Sequence, residues 1–411
     1  MRPLHGYSVA VSRIALVSQF FAPEPCAAAN RVAAMAQALA AAGHEVRVYT
    51  GMPSFPQGEI QTAYRGRGHL VEVSGDVTVE RVWTYAGRAL PGGRILNWLS
   101  VAAGIALRMA TERERYDLVI VSSPPITLAA PALLGAFAHR APLIVDIRDV
   151  FPDVAVKMGA WAADSTLARV VGRVADALYA RATLITPVTE TAAAEIAARG
   201  VPAAKIALTP NGFDAIEASD RPPYDALPGV RDIVYVGNMG LATGLDVVLD
   251  AAAALRAEAS IRFMMIGDGA DANRLRARAR DEALTNVVFT GPLPRPDALR
   301  AMTDAALTVV PLVATIADSL PTKLFDAMLV GTPIVLSAAG EAKRLVERSG
   351  AGLTVEPGDG AALAAGIRRV LDDPALAAGY RASGPAFVRA NYDRGAEMAR
   401  LAERLREITS R

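Results

Sequence analysis

The segment RIALVSQFFAPEPCAAANRVAAMAQALAAAGHEVRVYT, residues 13–50, gives the strongest indication of the fold class. Its apolar runs predict strands over residues 13–20 and 45–50, and the alanine-rich segment between them predicts a helix over residues 30–42. Gly43 stands where a glycine at the end of a helix is expected. A strand, a helix and a second strand in this order form the βαβ unit of a parallel sheet. The chain is therefore expected to have an α/β fold.

The same alternation continues along the rest of the chain in two series. The first series adds a hairpin around Gly75-Asp76 and then predicted strands at residues 117–123, 142–149, 183–188 and 205–210. The second series has predicted strands at residues 231–238, 261–267, 286–291, 305–312, 333–338 and 352–357. Two such series predict two doubly wound parallel-sheet domains, residues 1–214 and 230–390, joined by a proline-containing linker at residues 215–229.

The composition narrows the class of protein further. The 411 residues carry 43 Lys and Arg against 42 Asp and Glu, and this balance argues against a nucleic-acid-binding protein. A single Cys excludes a disulfide framework and a cysteine-based zinc site, so a cytoplasmic location is expected. Hydrophobic residues make up 52%, but neither residues 126–138 nor residues 96–110 form the roughly 20-residue apolar run of a spanning helix.

The segment Asp318-Ser-Leu-Pro-Thr-Lys-Leu-Phe-Asp326 carries the clearest chemical signal. Ser319 is placed to cap a helix with Pro321 in its first turn, which would put Lys323 near the positive end of the helix dipole. A helix N-terminus beside a lysine suits a diphosphate, and Asp318 and Asp326 could accept hydrogen bonds from sugar hydroxyl groups. The alternative is a capped surface helix with solvated charges.

Short glycine-containing loops follow the first two strands of the second series. Tyr235-Val236-Gly237-Asn238-Met239-Gly240 closes the first strand, and Ile266-Gly267-Asp268-Gly269 closes the second. With Ala272, the second loop matches the dinucleotide fingerprint G-x-G-x-x-A, although it lies on the wrong strand of its series for that motif. Ligands bind beyond the carboxyl ends of parallel strands, so both loops are candidate ligand contacts. The alternative is that these are simple turn glycines.

Two segments of the first domain are also expected to face a ligand. Asp146-Ile-Arg-Asp149 ends a predicted strand, and Arg148 with Asp149 is its leading polar pair for contact with a ligand. A buried structural ion pair is the alternative for these two residues. The loop at residues 21–31 joins the first strand to the first helix. Its Cys26 is expected to be a small packing residue rather than a nucleophile, since no His is near it in sequence.

These motifs resemble those of a known enzyme family. The segment at residues 318–326 resembles the E-x7-E region of family 4 glycosyltransferases, with Asp at both ends, and Gly331-Thr332-Pro333 continues the resemblance. Asp146-Ile-Arg-Asp149-Val-Phe-Pro152 resembles the D-x-R-D-x-W-P segment of a bacterial subgroup that builds surface polysaccharides, of the L-fucosamine and colanic acid type. The resemblance implies the GT-B fold, in which two Rossmann-like domains face each other across a cleft. It also implies that the final helix, within residues 391–411, packs back on the first domain.

The resemblance further implies a retaining transfer of a sugar from a nucleotide diphosphate. A UDP-N-acetylhexosamine is the preferred donor, and a hydroxyl group on a polyprenyl-diphosphate-linked glycan is the expected acceptor. No cofactor is expected, and no metal, because the chain has no D-x-D pair. The residues expected in catalysis are Arg148, Asp149, Asp318 and Lys323, and the resemblance places Arg148 and Asp149 on the acceptor side. Those expected to bind the donor are Gly237, Asn238, Thr243, Asp268, Gly269, Pro292, Leu293, Ser319, Leu320 and Asp326. Those expected in the acceptor or phosphate loop are Pro25, Cys26, Ala27 and Arg31.

Other interpretations of the sequence stay open. A UDP-sugar epimerase or a non-catalytic nucleotide-sugar-binding protein of the same fold would carry similar loops. Residues 88–115 mix apolar side chains with Arg88, Arg94 and Arg108, so this amphipathic stretch could lie on the cytoplasmic face of the inner membrane. The alternative for the stretch is a helix packed on the sheet, with arginines that extend to solvent.

Overall fold

The computed structural model describes residues 11–55, 58–87, 93–215, 218–220, 222–225, 227–240, 243–316 and 319–409. The chain divides into two compact units, Met1–Pro210 with Arg394–Arg411, and Asn211–Asp393. The strands are β1 (Arg13–Val17), β2 (Glu45–Gly51), β3 (His69–Ser74), β4 (Val77–Val82), β5 (Leu118–Ser123), β6 (Leu143–Ile147), β7 (Leu184–Pro187), β8 (Arg231–Val236), β9 (Ile261–Ile266), β10 (Val287–Gly291), β11 (Leu307–Pro311), β12 (Ile334–Ser337) and β13 (Gly352–Val355). The helices are α1 (Ala27–Ala41), α2 (Gly93–Thr111), α3 (Ala129–His139), α4 (Asp153–Lys157), α5 (Thr166–Arg181), α6 (Glu190–Ala198), α7 (Asp246–Ala254), α8 (Ala272–Asp281), α9 (Arg295–Asp304), α10 (Thr322–Val330), α11 (Gly340–Ser349), α12 (Gly360–Asp372), α13 (Pro374–Asn391) and α14 (Arg394–Thr409).

The first unit is built on a seven-stranded sheet in the order β3-β4-β2-β1-β5-β6-β7. β3 pairs antiparallel with β4, and the other neighbouring strands are parallel. The predicted hairpin is therefore confirmed, and its second strand joins the parallel sheet. Every residue of β1 and β5 is buried, as in a parallel sheet that helices cover on both faces.

Helices cover both faces of the first sheet. α2, α3 and α5 pack on one face, where Val101, Ala132 and Leu178 belong to a single apolar core. α1 and α14 pack on the other face, where Met35 and Leu401 belong to a second core. The C-terminal helix is therefore part of the first unit, although more than 180 residues of the second unit precede it in sequence.

The second unit is built on a six-stranded parallel sheet in the order β10-β9-β8-β11-β12-β13. α7, α8 and α12 cover one face of this sheet, and α9, α10 and α11 cover the other. Counted along each unit with the antiparallel β3 set aside, both sheets have the order 3-2-1-4-5-6, which is the doubly wound order of Rossmann-like domains. The predicted fold class is confirmed.

One predicted strand is wrong. Residues 205–210, all of which the structure describes, form only an isolated bridge beside β7. The N–H groups of Ala207 and Thr209 donate to the carbonyls of Ile185 and Pro187, both at 2.9 Å. Pro187 has no N–H to donate in return, so the continuous ladder of a parallel strand cannot form.

Candidate active site

Helix α10 begins at Thr322, inside the segment with the clearest chemical signal. Its N-cap residue is Pro321, which has no side-chain acceptor, so the prediction that Ser319 caps this helix is wrong. Pro321 itself has the extended backbone conformation of an N-cap residue, so Ser319 lies two residues before the cap position. The N–H of Ser319 donates to the Ile316 carbonyl at 3.0 Å. A proline cap leaves the N–H groups of the first turn to other acceptors. Asp318 lies outside the described residues.

Lys323, the second residue of α10, directs its ammonium group toward the loop after β8. Its Nζ donates to the Tyr235 hydroxyl at 2.7 Å and lies 3.9 Å from the centre of the Tyr235 ring. A Cβ at Gly237 would come within 2.9 Å of this Nζ. The lysine is half-buried, and loss of hydration lowers its pKa to about 7. An anion at this position would replace the lost hydration and favour the charged form of the lysine.

Backbone hydrogen bonds join the loops that follow β8, β9 and β10. The Gly237 N–H donates to the Ile266 carbonyl, and the Gly267 N–H donates to the Gly291 carbonyl, both at 2.9 Å. Gly267 has a φ of +134°, and a Cβ there would lie 1.9 Å from the Gly237 carbonyl oxygen. Only glycine fits this close approach. The glycines therefore set the position of the loop floor beneath Lys323.

The other residues predicted to bind the donor lie on the same loops. Thr243 Oγ1 donates to the Gly240 carbonyl at 2.5 Å, and the Asn238 carbonyl accepts the Tyr235 hydroxyl at 2.6 Å. These bonds hold the backbone of the first loop and leave the Asn238 side chain to other contacts. The remaining predicted donor contacts are exposed (Asp268, Pro292), half-buried (Gly269, Leu293, Ser319) or buried (Leu320).

Asp326 forms an ion pair that the sequence analysis missed. Arg295, the first residue of α9, donates from Nη2 to Asp326 Oδ1 at 2.7 Å and from Nη1 to Asp214 Oδ2 at 3.0 Å. The pair is only partly exposed, so the guanidinium fixes the direction of a carboxylate that is one methylene shorter than a glutamate. The sequence has no local signal for this contact, because Arg295 and Asp326 are 31 positions apart.

In the first unit, Arg148 and Asp149 lie just beyond the carboxyl end of β6. Arg148 donates from Nη2 to the Pro124 carbonyl and from its backbone N–H to the Ser123 carbonyl. Asp149 is exposed, yet loss of hydration among the surrounding protein atoms raises the pKa of its carboxyl, and the Arg148 charge opposes that rise. A carboxylate with a raised pKa suits contact with a hydroxyl group that gives up a proton.

Asp146, three residues earlier, forms a buried ion pair with Arg31 of α1. Arg31 Nη2 lies 2.7 Å from Asp146 Oδ1, and neither side chain is more than 1% exposed. Arg31 also donates to the Thr209 carbonyl at 2.9 Å. The guanidinium that was expected in a phosphate-binding loop is therefore inside the first unit, where it pairs with a carboxylate. This buried ion pair is a different one from the Arg148–Asp149 pair that the sequence left open as an alternative.

The loop that contains Cys26 is shorter than predicted, because α1 begins at Ala27 and Cys26 is its N-cap residue. Cys26 is half-buried, and burial raises the pKa of its thiol, while the charge of Arg148 lowers it. A thiol with a raised pKa stays protonated at neutral pH and is a poor nucleophile. Pro25 and Ala27, on either side of it, are exposed.

The structure thus brings the predicted residues together in two groups, one in each unit. The group in the second unit surrounds Lys323 and the three joined loops. The group in the first unit contains Arg148, Asp149 and the start of α1. Within the ranges that the structure describes, no three His, Cys, Asp or Glu side chains are grouped in a way that could hold a metal ion.

Comparisons with known proteins identify the family. Residues 230–373 match the family described as Glycosyl transferases group 1, and residues 27–212 match the Glycosyl transferase 4-like domain. The chain is 30% identical over 375 residues to the putative colanic acid biosynthesis glycosyl transferase WcaI of Escherichia coli. This alignment covers 85% of this chain and 90% of WcaI. The chain belongs to glycosyltransferase family 4. The family resemblance and the expected transferase activity are confirmed.

Solved structures share the fold of this family 4 glycosyltransferase. Sucrose-phosphate synthase from Thermosynechococcus elongatus aligns with a TM-score of 0.74 at 21% identity, over 97% of this chain and 99% of that one. HepE of Anabaena, solved in complex with UDP and glucose, aligns with a TM-score of 0.70 at 18% identity, over 96% of this chain and 99% of that one. At these identities the likeness shows the fold alone, which is GT-B.

Proposed function

We propose that this family 4 glycosyltransferase moves an N-acetylhexosamine from its UDP donor to a hydroxyl group of a polyprenyl-diphosphate-linked glycan. The transfer retains the anomeric configuration and uses no metal. The observation that carries the proposal is Lys323, held over Gly237 at the N-terminus of α10. An ammonium group, glycine backbone and a helix N-terminus together suit the diphosphate of a nucleotide sugar.

Two comparisons support the choice of substrates. HepE was solved with UDP and glucose, which supports UDP as the nucleotide for a site of the same fold. WcaI is named for colanic acid biosynthesis, which supports an acceptor that belongs to a surface polysaccharide. The choice of an N-acetylhexosamine and of a lipid-linked acceptor comes from the motif resemblance of the sequence.

The proposed chemistry has the acceptor attack from the face that UDP leaves, through an oxocarbenium-like transition state. The dipole of α10 and the charge of Lys323 stabilise the negative charge that develops on the leaving diphosphate. Asp318 is assigned to the donor sugar and Asp326 to the ribose, so neither attacks. The acceptor oxygen bonds to the anomeric carbon as the bond to the phosphate oxygen breaks, and its proton passes to that phosphate oxygen.

The acceptor is assigned to the first unit. Asp149 is proposed to accept a hydrogen bond from a neighbouring hydroxyl group of the acceptor and thereby orient the attacking oxygen, whose own proton points at the phosphate oxygen. Arg148, which its bonds to the Ser123 and Pro124 carbonyls hold in place, is proposed to keep the Asp149 side chain in its charged form. The raised pKa of Asp149 supports this assignment, because it makes the carboxylate a better hydrogen-bond acceptor.

A panel of nucleotide sugars tests the proposal. Purified protein is incubated with UDP-N-acetylglucosamine, UDP-N-acetylgalactosamine, UDP-glucose and GDP-mannose, with and without a lipid-linked glycan, and the products are measured. We expect slow release of UDP from a UDP-N-acetylhexosamine, and faster release with acceptor. Isomerised UDP-sugar would favour an epimerase, and binding without turnover would favour a non-catalytic protein. Preference for GDP-mannose would refute the UDP assignment.

The affinity for UDP is expected to fall as the pH rises from 6 to 9. The free protein lowers the pKa of Lys323 to about 7, whereas a bound diphosphate favours the ammonium form and raises the pKa again. Binding above pH 7 therefore takes up a proton, and the affinity falls by up to about tenfold per pH unit. Calorimetry in buffers of different ionisation enthalpy measures the proton uptake. A pH-independent affinity in this range would contradict the contact between Lys323 and the diphosphate.

We also propose that α2 contacts an anionic membrane surface. None of the helices in the described part of the chain is long and apolar enough to cross a membrane. α2 exposes Ile95, Leu96, Leu99 and Leu107 beside the exposed Arg94. Arg108 instead pairs with Glu80 at 2.8 Å, and Arg88, at the start of the predicted stretch, lies outside the described residues.

Liposome co-sedimentation tests the membrane contact. We expect Arg94→Glu with Leu99→Glu to lower binding to anionic vesicles by about tenfold or more, because the double variant adds repulsion and removes apolar burial. Val73→Glu, which changes an exposed apolar residue of β3, is the matched control and is expected to bind as the wild type does. Equal sedimentation of all three proteins would refute the contact.

A further inference from the structure

An open pocket of about 360 Å³ lies in the first unit, beyond the carboxyl ends of β2 and β4. We call it the Trp83 pocket. The residues of its wall that matter here are Met52, Tyr64, Arg65, Arg67, Trp83 and Thr84. Its volume is within the range of about 300–1,000 Å³ that small-molecule sites occupy. None of the residues predicted from the sequence for donor or acceptor lines it.

The floor of the Trp83 pocket is rigid. Met52 and Thr84 are buried, and the Met52 N–H donates to Thr84 Oγ1 at 2.7 Å. The chain that follows Met52 is held by the buried carboxylate of Glu24, which accepts the N–H groups of Ser54 and Phe55, both at 2.9 Å. These bonds keep the start of the loop in one position before any ligand arrives.

Tyr64, one of the two aromatic residues in the pocket wall, is also held in place. The guanidinium of the buried Arg81 lies 5.1 Å from the centre of the Tyr64 ring, and Arg81 Nε donates to Glu72 at 2.6 Å. Trp83 directly follows β4, yet the residue is 56% exposed to solvent. An exposed aromatic ring in the wall of a pocket is typical of a surface that packs against the apolar C–H face of a sugar ring.

The rim of the Trp83 pocket is basic. Arg67 is exposed, and Arg65 is exposed with its Nε bound to the Ile60 carbonyl at 3.1 Å. Arg65 lies 3.5 Å from the carboxylate of Glu59, which partly neutralises its charge. Arg67 is therefore the arginine that is expected to contribute most to the binding of an anion. Guanidinium groups recognise phosphate through paired hydrogen bonds. An aromatic wall and an arginine rim suit a ligand that carries a sugar ring and a phosphate.

The topology sets the distance between the Trp83 pocket and the proposed acceptor residues. β2 and β4 end at the same edge of the sheet as β6, which carries Arg148 and Asp149 beyond its end, and β2 is three strands away from β6. At a strand spacing of about 4.8 Å, the pocket lies about 15–20 Å from Asp149 along this edge. A single sugar is too short to fill both places.

We propose that the Trp83 pocket binds a sugar and the phosphate attached to it, in the part of the acceptor remote from the attacking hydroxyl group. This inference rests on the proposed function, since it extends the acceptor site of the first unit. The ring stacks on Trp83, and the phosphate contacts Arg67. Two acceptor chemistries share this recognition: a phosphate on the anomeric oxygen, as in a lipid-linked sugar, and a phosphate ester elsewhere on a glycan.

Saturation-transfer NMR with glucose 1-phosphate, glucose 6-phosphate and glucose tests the inference. The protein is first saturated with UDP, so that the donor site is not available to the sugar phosphates. We expect both phosphates to bind at least about tenfold more tightly than glucose, and the tighter of the two identifies the position of the phosphate. Trp83→Ala and Arg67→Glu are each expected to weaken the binding about fivefold or more. Arg113→Glu, an exposed arginine at the opposite edge of the sheet, is expected to have no effect.

The outcomes separate this inference from the proposed function. If wild-type protein binds UDP but neither sugar phosphate at 20 mM, the Trp83 pocket is not a sugar phosphate site. Binding that both Trp83→Ala and Arg67→Glu leave unchanged would likewise overturn it. Thermal unfolding and UDP affinity of the two variants are expected to equal those of the wild type, which excludes misfolding as the cause of a loss. Failure of wild-type protein to bind UDP would contradict the proposed function instead.

Discussion

Replacement of Lys323 by alanine is expected to slow sugar transfer by about 10²–10³-fold. Enzymes lose rate in this range when one group that stabilises developing negative charge is removed. The UDP affinity is expected to weaken about tenfold, since one charge-assisted contact is lost in the ground state as well. Lys323 is the cation expected to act on the diphosphate, because its Nζ is held against Gly237 at the N-terminus of α10. Kinetics with UDP-N-acetylglucosamine and calorimetry with UDP measure the two effects.

The same substitution is expected to leave the thermal stability unchanged or to raise it at pH 7. The folded protein lowers the pKa of Lys323 from 10.5 to about 7, so folding disfavours the ammonium form. The resulting loss of folding stability is fully present below the pKa of Lys323 in the folded protein. It disappears as the pH rises toward the pKa of the lysine in the unfolded chain. A lysine that opposes folding but improves donor binding is characteristic of a functional site. A large drop in Tm would indicate a structural role instead.

Two further variants isolate the charge. Lys323→Met keeps the length of the side chain without the ammonium group, and Lys343→Ala removes a lysine from α11 that lies 4.0 Å from Glu347. We expect Lys323→Met to behave as Lys323→Ala does, and Lys343→Ala to behave as the wild type does. Wild-type kinetics in Lys323→Met would show that transfer does not use the charge, and the proposed donor site would lose its main support.

The sequence was sufficient for the elements whose signal is local. The six strands of the second sheet are short apolar runs between turns, and such a run predicts a strand without knowledge of the strand that pairs with it. The loops at Gly237 and Gly267 were also visible, because a glycine directly after a strand marks a close backbone approach. The strand predicted at residues 205–210 is wrong for the converse reason. Its apolar run is a local signal, but the strand cannot pair fully because Pro187 of the neighbouring β7 has no N–H group.

Contacts between distant parts of the chain could not be predicted. Arg295 meets Asp326 across 31 positions, and Arg31 meets Asp146 across 115 positions. Nothing in the neighbourhood of either arginine indicates its partner, because the fold alone brings the two together. The cap of α10 is a different failure, in which two good local signals competed. Pro321 took the N-cap position that Ser319 could have filled.

Removal of Arg31 is expected to lower the free energy of unfolding by about 3–5 kcal/mol. Arg31→Met leaves the carboxylate of Asp146 buried and without its counter-charge, which is the most costly way to break an ion pair. The hydroxyl groups of Ser122 and Thr186, each at 3.0 Å from an Asp146 oxygen, remain as hydrogen-bond donors but carry no charge. Denaturation by urea, followed by far-UV circular dichroism, measures the loss.

The pH dependence of stability is expected to reverse in Arg31→Met. Burial by itself raises the pKa of Asp146, but the charge and hydrogen bonds of Arg31 outweigh it and hold the pKa below the ordinary value. In the wild type, the stability from this carboxylate is therefore present above pH of about 4 and is lost as the pH falls through the folded pKa. Without Arg31, burial dominates and the pKa rises. Acidification from pH 7 to 5 is then expected to restore part of the lost stability.

A double variant and an exposed control complete the test of this pair. Arg31→Met with Asp146→Leu removes both charges and is expected to lose less stability than the sum of the single changes, because no charge stays buried. Arg400→Met breaks an exposed ion pair on α14 and is expected to cost less than about 1 kcal/mol. Equal losses of unfolding free energy in Arg31→Met and Arg400→Met would contradict the conclusion that the Arg31–Asp146 ion pair is shielded from water. Asp146 lies at the carboxyl end of β6, two residues before Arg148. A stability loss with unchanged transfer kinetics would therefore show that the pair stabilises the strand without acting on the substrate.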